Sequence, residues 1–279
     1  MIVQHPDFAD NPSRAPIGVF DSGVGGLSVY LHLKQVLPNE RFIYYADTAN
    51  VPYGNKSGDE ILLLTLQAVA RLCKRGCKLV VIACNSASAH ALDTLRARCG
   101  IPIVGLVPAV KPACLLTNSK KIVVLATQAT LNGALLAKVI DEVATPMQVK
   151  VYRHFEPMLV PWVEAGMPQP SRTATQLETQ LTNWAAMGID VVVLGCTHYP
   201  FFREFLQHKI DVAGLDIQLV DSGMAIAQRV KSLLTTFKMS ATSCQRSPLQ
   251  LYATRLDEQV LSTVYLLTKE PAVPILWTD

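Results

Sequence analysis

The sequence predicts an α/β fold of two pseudo-symmetric domains, each a mostly parallel sheet flanked by helices, with its site in the interdomain cleft. Two observations carry this. Short apolar runs such as Leu79-Val80-Val81-Ile82 and Val191-Val192-Val193-Leu194 alternate with helical patterns of ten or more residues, the arrangement that joins parallel strands through crossover helices. The same grammar also occurs twice. Strand, small residue, cysteine and polar pair follow one another at Ala83-Cys84-Asn85-Ser86 and again at Gly195-Cys196-Thr197-His198. The cysteines lie 196 − 84 = 112 residues apart, and Asp21 and Thr127 lie 127 − 21 = 106 apart. An internal duplication is the simplest account.

Taken in order, residues 1–15 read as a loosely attached arm. Ile17 to Phe20 is a short strand that runs into Asp21-Ser22-Gly23-Val24-Gly25-Gly26, with a helix following to about Val36. Glycines between strand and helix let backbone N–H groups approach an anion, but the spacing matches neither nucleotide fingerprint. Phe42 to Tyr45 is the next strand, leading into the turn-rich loop Ala46 to Ser57 with its Pro52-Tyr53-Gly54 bend. A helix from Gly58 to Arg75 carries Ile61, Leu62, Thr65, Ala68, Val69 and Leu72 on one face and stops at Gly76. The Cys84 strand and its helix to about Arg98 follow, then a strand at Ile103 to Leu106.

The second copy of the pattern places a helix at Ala109 to Leu116, a strand at Lys121 to Ala126, one helix through about Val143 and a strand at Gln148 to Tyr152. Helical residues from Met158 to Met187, interrupted around Gly166 to Ser171, precede the Cys196 strand and a helix from about Pro200. Leu219 to Gly223 leaves a strand for a helix to about Phe237, and the polar stretch 238–247 precedes a strand at Leu249 to Tyr252, a helix near Asp257 to Leu267 and a final strand. The expected domains are therefore 16–107 with 219–279, and 108–218. Ligands of such sheets sit beyond the carboxyl ends of the strands, where all the polar motifs fall.

Half of the 279 residues are hydrophobic and the net charge is only +3, so a sizeable core is expected and a nucleic-acid footprint is not. No apolar run approaches the roughly 18 residues of a spanning helix, and the first 16 residues have no leader-like apolar stretch. A cytoplasmic protein with no membrane partner and with free thiols among its seven cysteines is expected. Cys73 and Cys77 suggest a metal half-site, but no second ligand pair with zinc spacing exists, so no metal is expected. Cys99, Cys114 and Cys244 read as inert.

A thiolate is weakly solvated, and a helix N-terminus or a nearby cation lowers the pKa of a thiol from about 8.5. Cys84 and Cys196 both precede expected helices and so stand in that field. A cysteine closing a buried strand is more often a small core residue; here the duplicated polar setting argues for acid–base chemistry. His198 and Asp21 each have a bland reading as a helix cap.

These motifs resemble those of the glutamate racemase family from about Pro16 to about Leu266. The resemblance implies cofactor-independent interconversion of L- and D-glutamate, which supplies D-glutamate for peptidoglycan. It implies that Cys84 acts on the D enantiomer and Cys196 on the L enantiomer, assisted by Asp21 and His198, one beside each thiol. It further implies substrate contacts at Asp21, Ser22, Tyr53, Gly54, Asn85, Ser86, Thr197 and His198, with Thr127 and Thr130 as additions and Asp47 and Glu164 as weaker ones. Ser86 stands where the family commonly has threonine, and Asn50 where it often has a basic residue. Homodimerisation is expected. The alternatives are an aspartate or other amino-acid racemase of the same fold, and a non-catalytic amino-acid-binding regulatory protein.

Overall fold

A computed structural model describes residues 12–243 and 247–277. The chain divides into two compact units, Val107–Ser222 being one and the chain on either side of it the other. In the first unit, Ile17–Asp21 (β1), Phe42–Ala46 (β2) and Leu79–Ile82 (β3) are buried along their whole length, as continuous apolar runs covered on both faces must be. Between them lie Leu27–Val36 (α1) and Gly58–Lys74 (α2). Ser57 and Glu60 close a capping box at the start of α2, satisfying two helix-end N–H groups. Asn85–Arg98 (α3) and Ile103–Gly105 (β4) follow.

The second unit contains Val110–Leu116 (α4), Lys121–Leu125 (β5), Gln128–Asn132 (α5), Ala134–Val139 (α6), Lys150–His154 (β6), Leu159–Glu164 (α7), Arg172–Ala186 (α8), Val191–Leu194 (β7), Arg203–Ala213 (α9) and Gln218–Val220 (β8). The chain then returns to the first unit with Gly223–Thr236 (α10), Leu249–Ala253 (β9), Glu258–Thr268 (α11) and Ala272–Leu276 (β10). The sheets have the orders β10-β9-β2-β1-β3-β4 and β6-β5-β7-β8. Every pairing in both is parallel. The α/β class with parallel sheets is as expected, and β2-β1-β3-β4 has the same order as β6-β5-β7-β8.

Strand register fixes the correspondence between the copies. Phe20 aligns with Ile82 and Leu125 with Leu194; one residue on, Ala83 donates its N–H to Phe20 O and Gly195 donates its N–H to Leu125 O. Cys84 and Cys196 are therefore equivalent. Thr127, however, corresponds to Ser22 rather than to Asp21, a spacing of 127 − 22 = 105, and the counterpart of Asp21 is Ala126.

Several elements differ from the sequence reading. The helix expected through Val143 is broken at Gly133, whose backbone is extended, and it finishes as a π-helical turn at Ile140–Ala144; glycine gives the weakest helical preference apart from proline. The strand expected at Gln148 starts at Lys150, because Gln148 has φ 57°, which no strand residue adopts. The helix expected from Pro200 is a 3₁₀ turn at Tyr199–Phe202, and α9 begins only at Arg203. Residues 1–11 of the expected arm and Cys244 lie outside the described residues. The rest of the arm is attached: Pro12–Arg14 is a 3₁₀ turn, and Arg14 O accepts from Arg41.

The end of the first sheet opposite the polar motifs is tied by one buried ion pair. Lys78 Nζ lies 2.6 Å from Glu40 Oε2, with the two side chains 1% and 4% exposed. Lys78 also donates to Ser13 O and Met239 O, and Glu40 Oε1 accepts from Ala241 N. Burial lowers the pKa of Lys78, and Glu40 works against that. Lys78→Met leaves a buried carboxylate without its counter-charge, a change costing about 3–5 kcal/mol. Urea unfolding should show a loss of that order, largely recovered in Lys78→Met/Glu40→Leu. Gly26, at the start of α1, is fixed by space: a Cβ there would lie 2.7 Å from Ala83 O and 2.8 Å from Asp21 Cβ. Gly26→Ala should lower the unfolding free energy by about 1–3 kcal/mol, read from the urea midpoint at constant slope.

Candidate active site

Cys84 is the N-cap of α3, and its Sγ accepts from Ala87 N–H at 3.4 Å. The backbone is extended at Cys84 because the strand run ends there, and Asn85 opens the helix. The thiol thus stands at the positive end of a fourteen-residue helix, where negative charge on sulfur is stabilised. Ser22, reached one step beyond the end of β1, places Oγ 3.4 Å from the same sulfur. Asn85 and Ser86 are buried in the first turn of α3, and Asn85 Oδ1 has no hydrogen-bond partner among the described residues.

Asp21 is buried at the carboxyl end of β1. Its Oδ2 accepts from Gly26 N–H at 2.9 Å, Gly23 N–H at 3.3 Å and Tyr44 O–H at 3.4 Å. The glycine loop thus wraps this carboxylate, which serves the loop as well as any substrate. Tyr44, which the sequence reading did not single out, is fully buried on β2, and its hydroxyl also donates to Gly23 O. Its pKa is pushed up by burial first and then by Asp21 and Cys84, so it remains a proton donor.

The Tyr53-Gly54 bend is a 3₁₀ turn, but the Tyr53 hydroxyl faces inward, donating to Asp47 Oδ2 at 2.6 Å. Burial and Asp47 raise its pKa. Asp47 also accepts from Asn50 Nδ2 at 3.0 and 3.2 Å and from Thr254 Oγ1 at 2.9 Å. Both residues therefore act in the scaffold of the loop. The Tyr53 side chain is buried, and its hydroxyl is engaged by Asp47.

In the second unit, Cys196 has a different setting. The turn after it is 3₁₀ with His198 at its N-cap, so Cys196 does not cap a helix as Cys84 does. The cation is His198, two residues on: Nδ1 lies 3.9 Å from Cys196 Sγ and Nε2 lies 3.0 Å from Glu164 Oε1. Burial alone would lower the pKa of His198, but hydrogen bonds and charge from Cys196 and Glu164 outweigh it and raise the pKa to about 10. That shift favours the imidazolium form, which can donate to sulfur and carboxylate together. Glu164 ends α7, which Trp162 packs against Phe202 with ring centroids 5.8 Å apart.

Thr127 caps α5 and bonds Thr130 hydroxyl to hydroxyl at 3.0 Å, in the register position that Ser22 occupies beside Cys84. Thr197 is buried between the thiol and the imidazole in sequence. Within the first unit Asp21, Ser22, Cys84, Asn85 and Ser86 gather at the carboxyl ends of β1 and β3. Within the second, Cys196, Thr197, His198 and Glu164 gather at β7. Cys73 and Cys77 are buried thiols with pKa values raised by burial, that of Cys73 to about 12, and burial likewise raises those of Cys99 and Cys114. Among the described residues no group of three or more His, Cys, Asp or Glu side chains could hold a metal ion, and no helix is long and apolar enough to cross a membrane.

The family model described as Asp/Glu/hydantoin racemase matches residues 17–230. The curated glutamate racemase of Deinococcus radiodurans is 49% identical over 223 residues, covering 80% of this chain and 76% of that one. The crystal structure of a glutamate racemase isoform from Bacillus anthracis superposes with a TM-score of 0.85 at 26% identity, covering 95% of this chain and 98% of that one. That of the Francisella tularensis glutamate racemase in complex with D-glutamate gives 0.81 at 29% identity over the same shares. Similarity at this level and over this length is decisive: the chain belongs to the Asp/Glu/hydantoin racemase family and groups within it with the glutamate racemases.

Proposed function

We propose that this chain interconverts L- and D-glutamate by a two-base proton transfer, Cys84 and Cys196 being the bases, and that its product serves peptidoglycan synthesis. The observation that carries the reading is the duplicated thiol: each unit presents one cysteine at the same register position beyond the same strand, with its own source of charge stabilisation. Racemisation needs two such groups of opposite protonation, because one face of the α-carbon loses a proton while the other gains one.

From L-glutamate, the Cys196 thiolate takes the α-proton and the bond pair passes into the α-carboxylate as enolate character. The Cys84 thiol then delivers its own proton to the carbon from the opposite face, giving D-glutamate. The enzyme is left with a Cys196 thiol and a Cys84 thiolate, the state that begins the reverse turnover. His198 stabilises charge on Cys196 directly; the helix N-terminus and the Ser22 hydroxyl do so on Cys84. Asn85 Oδ1, buried with no partner among the described residues, suits the α-ammonium, while backbone N–H groups and the hydroxyls of Ser86 and Thr197 suit the carboxylate charge that grows in the transition state.

Incubation with L- or D-glutamate in deuterated buffer should carry both enantiomers towards an equal mixture with α-deuterium in the product. Cys84→Ala and Cys196→Ala should each lower kcat/KM by about 10²–10⁴-fold. Racemisation of aspartate with glutamate untouched would instead reassign the substrate, and retained turnover in either cysteine variant would end the two-thiol mechanism.

The elevated pKa of His198 gives a second prediction. Because its folded value of about 10 lies above the ordinary 6.5, the stability it contributes is fully present below about pH 6.5 and is lost as pH rises through about 10. Glu164→Gln removes one of the two stabilising anions, so the alkaline limb of kcat/KM against pH should move to lower pH. A limb that stays in place would show that His198 does not set it.

A further inference from the structure

Beyond the thiols and their partners, the site has a second structural dependence. The loop that carries Pro52-Tyr53-Gly54 is held from outside the stretch matched by the family model, which ends at residue 230. Thr254, next after β9, donates its N–H to Ala46 O at 3.1 Å and its hydroxyl to Asp47 Oδ1 at 2.9 Å, while that hydroxyl accepts from Ala49 N–H at 2.9 Å. Beside it, Arg255 N–H donates to Thr48 Oγ1 at 2.9 Å, and the Thr48 hydroxyl donates back to Arg255 O. Asp47 passes this tie inward: its other oxygen holds the Tyr53 hydroxyl, and its N–H donates to Asp21 O at 3.0 Å.

We infer that Thr254 is a positioning residue for the reaction, setting the Tyr53-Gly54 turn through the Asp47 carboxylate and the carboxyl end of β1 through the Asp47 N–H. Asp47 is thereby the acceptor that joins the two ties. It is 3% exposed and takes hydrogen bonds from three side chains, so the position of the loop depends on it. A hydrogen bond to a buried carboxylate is among the stronger kinds. Loss of the Thr254 hydroxyl removes one of these bonds and also releases the Ala49 N–H to solvent.

The inference rests on the proposed racemase reading, and the experiment separates the two. Thr254→Val keeps the shape and deletes the hydroxyl; Thr254→Ser keeps the hydroxyl. For both variants and the parent, kcat and KM for each glutamate enantiomer are measured together with amide hydrogen exchange across residues 46–57. Thr254→Val should lower kcat/KM roughly tenfold, mostly through KM, and speed exchange in residues 46–57 while β1 and β3 stay protected; Thr254→Ser should restore both. Parent-like kinetics in Thr254→Val overturn the inference, whether exchange is unchanged or rises evenly through the unit as it would for a purely structural role. A parent protein that leaves glutamate unchanged overturns the functional reading instead.

Discussion

The parallel ladder between β1 and β3, and its copy between β5 and β7, is the constraint on which the rest of this architecture depends. In a parallel sheet all strands end on the same edge, so whatever follows them in sequence is delivered to one place. Ser22 meets Cys84 because the strands feeding them are in register, and the second copy brings Thr127 to the corresponding position at Cys196 by the same register. Apolar residues along the strands supply the burial that keeps the ladder rigid. The chemistry then requires only a few residues beyond each strand end.

Duplication of the frame did not duplicate the electrostatics. Cys84 receives a backbone N–H at the start of a long helix, whereas Cys196 has beside it the His198 ring held by Glu164. In the proposed mechanism the two settings answer the same physical need, negative charge on a buried sulfur, from different sources. His198 occupies the sequence position that Ser86 holds in the first copy, and Asp21 has only Ala126 as its counterpart, so neither helper was inherited by symmetry.

Much of this was legible in the sequence. Cys84 and Cys196 were marked by strand runs that stop at a small residue, and most strand boundaries follow from where β-branched runs begin and end. The exceptions have local causes. Gly133 and Gln148 adopt backbone angles that periodicity does not reveal, and the Tyr199–Phe202 turn winds more tightly than the pattern from Pro200 suggests. The inward aim of the Tyr53 hydroxyl, the roles of Tyr44 and Thr254, and the Lys78–Glu40 pair were not legible, because each depends on partners brought together from distant stretches. Thr254 did carry one usable signal, a polar residue just past an expected strand.

The nesting of the units has a consequence for biosynthesis. The stretch 107–222 is continuous and leaves the ribosome complete, so it is free to acquire its sheet while its host is still unfinished. The outer unit cannot close until β9 and β10 emerge, since β2 pairs with β9 on one side. Until then β2 is an open edge with unpaired backbone groups, the kind of surface that recruits other chains. The inserted unit can thus complete its sheet before the outer one has all of its strands.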